Sequence, residues 1–361
     1  MEIETMRRRD YLAAAAAAGA VGVAGCGGEV ETRALRSTPP VLENRPEGVY
    51  HPTHVDGMEP VGTAETGDYA VALTYTYPHR FWRVDAATES VADAARESPD
   101  GTDVHLMALA WDPETGRTLP ESGLSLEIAR DGTTVGEGVV YNMLSPQMGF
   151  HYGANFALDG DGTYDVRVTV GGTTVRRTGA YRGRFDDPAT ITVPFEYAAD
   201  ARDEIPVERT PDRAGERTTP DRMEMSVPLG VAPELASLPG EHRGTAASGD
   251  AELAVVTTET PPAGVDGEGS YLAVSARTPY NRLLLPRMTL AATLRRDGTT
   301  VFDGELVRTF DDRLGYHYGA VVDPPLAGDE LTVRVRTAPQ VDRHEGYETA
   351  FLSMPDASLT L

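Results

Sequence analysis

The sequence predicts an all-β chain in which two tandem β-sandwich domains follow an export leader and a stalk. Three observations predict it. Glycine (37) and proline (26) are frequent among the 361 residues, and short apolar-alternating runs between turn formers are the signature of strands. Long helical periodicities are absent. One segment also recurs at a fixed offset of 166 residues: Leu119-Pro120 matches Leu285-Pro286, Arg130-Asp131-Gly132-Thr133-Thr134-Val135 matches Arg296-Asp297-Gly298-Thr299-Thr300-Val301, and Gly149 with His151-Tyr152-Gly153-Ala154 matches Gly315 with His317-Tyr318-Gly319-Ala320. No gap is needed between Leu119 and Gly162, so the chain holds two copies of one domain.

Residues 1–25 read as a twin-arginine leader. Arg8-Arg9-Asp10-Tyr11-Leu12 precedes an alanine run that ends at Val23-Ala24-Gly25-Cys26. The apolar stretch is shorter than the ~20 residues of a spanning helix. Small residues before the chain's single cysteine form a lipobox, so Cys26 is expected to carry lipid and to hold the protein on the outer face of the cell membrane. A lone cysteine also leaves no disulfide, and stability must come from hydrophobic cores.

Residues 26–48 are expected to be a stalk and 49–197 the first sandwich. Its strands fall at Tyr69–Tyr77, Val104–Trp111, Leu124–Ile128, Val135–Met143, Phe150–Leu158, Tyr164–Val170 and Thr190–Tyr197. Residues 198–222, dense in charge, threonine and proline, read as a linker. In the second sandwich, 223–361, strands are expected at Glu252–Thr257, Tyr271–Arg277, Thr289–Leu294, Val301–Val307, Tyr316–Val322, Leu331–Arg336 and Phe351–Ser353. Asp131-Gly132 and Asp297-Gly298 are hairpin turns. About seven short strands per copy suit an immunoglobulin-like sandwich.

The formal charge is −24 and there is no lysine. Such self-repulsion is largely screened at molar salt, where the Debye length is ~3 Å. The composition is that of a halophilic protein and argues against nucleic acid as a partner. No Ser-His-Asp order, phosphate-binding glycine loop or free cysteine offers catalysis, so no enzyme is predicted. Histidine on a β scaffold points to metal. In Gly149-Phe150-His151-Tyr152-Gly153, the aromatics share one strand face and His151 the other, flanked by glycines that leave its imidazole approachable. Met143 and Met148 offer thioethers nearby. His54 and Met58, on an arm before the first strand, are further candidates.

Val104-His105-Leu106-Met107, followed by a methionine-containing loop and Gly149-Phe150-His151-Tyr152-Gly153-Ala154-Asn155, resembles the periplasmic ferrous-iron transport protein family. The whole chain resembles haloarchaeal lipoproteins that join such a domain to a second related one. The resemblance implies a dimerising immunoglobulin-like sandwich that binds iron or copper through an early histidine, a methionine, the loop histidine and a later histidine. By position these are His105, Met143 or Met148, and His151. The first copy has no later histidine, since Tyr181 to Phe185 fills that region, and Met107 stands where the family has an acid. The second copy has the reverse deficit: Tyr271 replaces the early histidine, while His317 is followed by His344-Glu345. The expected function is metal acquisition at the cell surface, with a metal permease or other transport component as partner and the two copies packed as an intrachain pseudo-dimer. The rival is a non-catalytic interaction module that binds protein or glycan and uses its histidines for packing.

Overall fold

The computed structural model describes residues 29–32 and 39–361. Arg8, Arg9 and Cys26 lie outside the described residues. The described residues are all-β apart from short helical turns. In the first copy one sheet runs Glu59–Thr66, Tyr69–Thr76, Val104–Trp111, Gly149–Phe156, Tyr141–Ser145. The facing sheet runs Ala189–Tyr197, Gly162–Val170, Leu124–Arg130, Thr133–Val139. The alternation that defines a half-buried strand is plain in Gly162–Val170: Tyr164, Val166, Val168 and Val170 are buried, while Asp165 and Arg167 are exposed. Each such buried valine contributes roughly 1.5–3 kcal/mol.

The second copy repeats this order with Glu241–Ser248, Ala251–Thr258, Ser270–Arg277, Gly315–Val322, Thr299–Asp311, Thr289–Arg296, Glu330–Thr337 and Ala357–Thr360. Its long strand Thr299–Asp311 pairs Thr289–Arg296 through its first part and Gly315–Val322 through its last. The same stretch of the first copy is broken at Val140 into two strands. Both predicted hairpin turns place two residues at positive φ, Asp131 and Gly132 at 50° and 74°, Asp297 and Gly298 at 48° and 77°. That backbone matches the twist of the strands it joins.

Three expectations change. Phe351–Ser353 is a bend and not the last strand; Phe351 is buried, has φ 57° and packs its ring 5.4 Å from Tyr347. The last strand is Ala357–Thr360. Residues 198–222 are not a bare tether: they contain the helix Ala199–Asp203 and the strand Pro206–Arg209, which pairs with both Glu29–Thr32 and His54–Asp56. The described end of the stalk packs on the second copy, where Arg45 meets Glu348 at 3.1 Å and Gly48 N–H donates to Thr349 O.

The two copies exchange short segments. Asp342–Arg343 of the second copy pairs in parallel with Tyr141–Ser145 of the first, Met143 opposite Asp342. Arg176–Thr178 of the first copy pairs in parallel with Thr299–Asp311 of the second, Thr309 opposite Arg176. The offset of 166 converts one pairing into the other. Side-chain contacts obey the same exchange: a Cβ on Gly149 would press on Leu283, and one on Gly315 would press on Arg117, again 166 apart. This is the reciprocity of an isologous interface, in which residue i meets j and the counterpart of j meets the counterpart of i. One large hydrophobic cluster runs through both copies.

Candidate metal centre

Val104–Trp111 is a central strand buried on both faces. Val104, Leu106, Ala108 and Ala110 point into the sandwich core. His105, Met107, Leu109 and Trp111 therefore point the other way, and Met107, Leu109 and Trp111 pack under Val227, Met225 and Leu229 from the segment that joins the copies. On the neighbouring strand Phe150 and Tyr152 are core residues, as their parity predicts, and His151 shares the outer face. Met143 is directly opposite His151 in the antiparallel pair. The exchanged segment then delivers His344 beside Leu144, whose carbonyl accepts from His344 N–H at 3.1 Å.

One nitrogen from each of His105, His151 and His344 lies within 4.8 Å of the others; among the described residues no other such cluster of metal-ligating groups occurs. All three Nε2 atoms are sealed from solvent and have no hydrogen-bond partner. His344 as a whole is only partly buried, because it also lines the adjoining cavity. In His151 and His105 the other ring nitrogen fixes the tautomer. His151 Nδ1 is 3.0 Å from Gly149 O, a carbonyl that can only accept, so Nδ1 carries the proton and Nε2 holds a lone pair. His105 Nδ1 is 2.8 Å from Asn155 Oδ1. That amide is oriented by His79, whose N–H donates to the same oxygen at 3.1 Å and whose carbonyl accepts from Asn155 Nδ2 at 2.7 Å.

Burial holds the His151 pKa down at about 4. Burial and the neighbouring His79 push His105 well below its ordinary range. Burial, then His151, His79 and His105, does the same to His344. At neutral pH the triad is uncharged, as ligation requires. Gly149 has φ +72°, which sets the carbonyl under His151. Gly153 leaves the space: a Cβ there would stand 2.9 Å from His105 Nε2 and 2.9 Å from Met143 Sδ, so imidazole and thioether converge over bare backbone. Nitrogens bound to one ion at ~2.0–2.1 Å stand at most about 4 Å apart, so a small inward shift completes ligation. Three imidazoles and a thioether suit a transition metal.

A cavity of about 90 Å³ opens beside His151 and His344. Its wall holds Asp56, 3.5 Å from His54 Nε2 and 3.3 Å from His79 Nδ1. Burial opposes the charge on Asp56, but His54, His79 and the Tyr77 hydroxyl outweigh it and depress the carboxyl. Burial likewise opposes charge on His54, yet Asp56 raises its pKa. Glu345 meets Arg80 at 3.0 Å in the same wall.

Of the sequence candidates, the structure brings together His105, His151, Met143 and His344, and sets His54, Met58 and Glu345 around the cavity. The arm bearing His54 is packed in place, its histidine buried. Met148 also borders the cavity but belongs to the Met107–Trp111 apolar cluster. His344, grouped with His317 by sequence, joins His105 and His151 of the first copy instead. The supporting Asn155 and His79 were not singled out as site residues, although Asn155 closes the Gly149–Asn155 motif.

His317 sits in the equivalent place of the second copy, its Nδ1 3.0 Å from Gly315 O. Its Nε2, however, is 3.0 Å from the Tyr271 hydroxyl. Thr309 replaces Met143, Tyr271 replaces His105, and Thr178 replaces His344 by register.

A protein-family model matches residues 58–193 and 236–360, the greater part of both copies. The chain belongs to the DUF7350 family, described as Domain of unknown function. No curated protein matches this DUF7350 chain. Among solved structures it is similar to a copper-bound glutamate-to-glutamine variant of FetP from uropathogenic Escherichia coli strain F11, with 22% identity over 39% of this chain and 97% of that one and a TM-score of 0.31. It is also similar to a copper-bound aspartate-to-histidine variant of P19 from Campylobacter jejuni, with 20% identity over 39% of this chain and 98% of that one and a TM-score of 0.30.

Proposed function

We propose that this DUF7350 chain is a lipid-anchored, extracytoplasmic carrier that binds one copper or iron ion through His105, His151, His344 and Met143, for acquisition or transport and without catalysis. The observation that carries this reading is the convergence of three buried imidazole nitrogens that have no other partner. A buried acceptor without a partner costs about 1–3 kcal/mol, and a bound ion would remove that cost three times over. The cavity beside the triad supplies a route for the ion, and its anionic Asp56 draws cations inward. The two copies act as an intrachain pseudo-dimer in which the second copy finishes the first copy's site. Arg8, Arg9 and Cys26 would export the chain and fix it to the membrane, where a metal permease is the natural partner.

Metal titration of the purified chain in molar salt tests this. Parent protein should bind one equivalent of copper or iron, and His151→Ala should bind none while keeping its fold. An unchanged metal content in His151→Ala would overturn the proposal.

A further inference from the structure

The second copy builds the same pocket and fills it differently. The offset of 166 carries the metal-site residues His105, Met143, His151 and His344 onto Tyr271, Thr309, His317 and Thr178. Where the first pocket leaves three nitrogens unpartnered, the second leaves none: His317 Nε2 meets Tyr271, and Thr178 donates to Asp311 at 2.7 Å. Between them lies the guanidinium of Arg176. Its Nη2 donates to Tyr271 Oη at 2.9 Å, Thr309 Oγ1 at 2.7 Å and Gly319 O at 3.0 Å, and its Nε donates to Thr309 Oγ1 at 3.0 Å. Two of these acceptors stand at the positions of metal-site residues, and the third, Gly319, is the counterpart of the Gly153 that makes room at the first site. The position of Arg176 is taken in the first copy by Asp342, whose carboxylate instead accepts from Val84 N–H at 2.9 Å.

We propose that the second pocket is a guanidinium-binding site, in which Arg176 is a permanent internal cation standing where the first pocket takes its metal. The proposal rests on the metal reading only for that comparison; the guanidinium contacts stand without it. A side-chain cation cannot dissociate from the protein, so this pocket carries no exchangeable ion. Because Arg176 arrives on the exchanged segment, its hydrogen bonds also clamp the first copy onto the second. A planar donor fork matches hydroxyl and carbonyl acceptors set around it, and an ammonium would not reproduce that geometry.

Two measurements on the full-length chain test this. Arg176→Ala should unfold at a temperature lower by about 5 °C or more, and millimolar methylguanidinium, but not methylammonium, should recover most of the loss while leaving the parent unchanged. Equal rescue by both cations, or by neither, overturns the proposal. Independently of whether that variant folds, His317→Ala should retain the parent's copper(II) equivalents in a titration with copper(II) alone, and loss of an equivalent in His317→Ala overturns it. The proposed function fails on a different result, the absence of metal from the parent or its persistence in His151→Ala.

Discussion

In the first copy the outer sheet face gathers imidazoles whose Nε2 atoms meet nothing; in the second, the same face gathers hydroxyls that meet one another, a histidine and an arginine. Both pockets keep the loop histidine, its bond to the glycine carbonyl two residues before it, and the bare glycine two residues after it. The difference teaches that the scaffold and the chemistry separate cleanly. Backbone geometry orients one ring in either pocket, while three neighbouring positions decide whether the lone pair is left open or meets a hydroxyl.

The strongest way to break the comparison is to impose the second pocket's residue on the first. His344→Thr should lose stoichiometric metal as completely as His105→Ala does, even though residue 344 lies in the second copy. Metal analysis after gel filtration in high salt checks this, and a fully loaded His344→Thr protein would remove the exchanged segment from the site. A smaller effect is expected at the supporting amide. Asn155→Val, the residue found at the equivalent position 321, frees the His105 ring without touching a ligand, and should weaken metal affinity by about 10–100-fold. Competition against a chelator measures it, and unchanged affinity would show that His105 needs no such partner.

The smallest effect concerns protons. Burial holds His317 at about 4 in the folded chain, against ~6.5 when unfolded. Above pH 6.5 both states are neutral and nothing is gained or lost. As pH falls from 6.5 toward 4 the unfolded state takes up a proton that the folded state refuses, so stability declines, and it levels off below the folded pKa. Each unit of separation corresponds to about 1.4 kcal/mol. The metal-free parent should therefore lose stability relative to His317→Gln between pH 7 and 5 in denaturant titrations at fixed salt. Parallel pH profiles for the two proteins would contradict a buried neutral His317.

Much of this was legible in the sequence. The repeat fixed two copies in register, the Asp-Gly pairs marked both hairpins, and strand parity put His151 opposite the core aromatics Phe150 and Tyr152. The edge strands Glu59–Thr66 and Glu241–Ser248 escaped because their glycines, threonines and, in the first, a proline show no apolar alternation; an edge strand has one side unpaired and tolerates such residues. The choice between Met143 and Met148 needed the pairing register, which places Met143 across from His151 and Met148 in the turn. The destination of His344 was the deepest omission. Arg176-Arg177-Thr178 and Asp342-Arg343-His344 share only their middle arginine, and no local pattern reveals that a short segment will cross to the other copy's sheet edge.

That crossing has a consequence for the order of synthesis. Chains emerge from the ribosome N-terminus first, and an N-terminal domain ordinarily folds before the rest exists. Here the pocket nucleated by residues 105 to 151 lacks its last imidazole until residue 344 of 361 has been made. A chain cut short between residues 197 and 344 carries every strand of the first sandwich's two sheets named above yet lacks the third imidazole, so the three rings can gather only after the second copy's exchanged segment has been made.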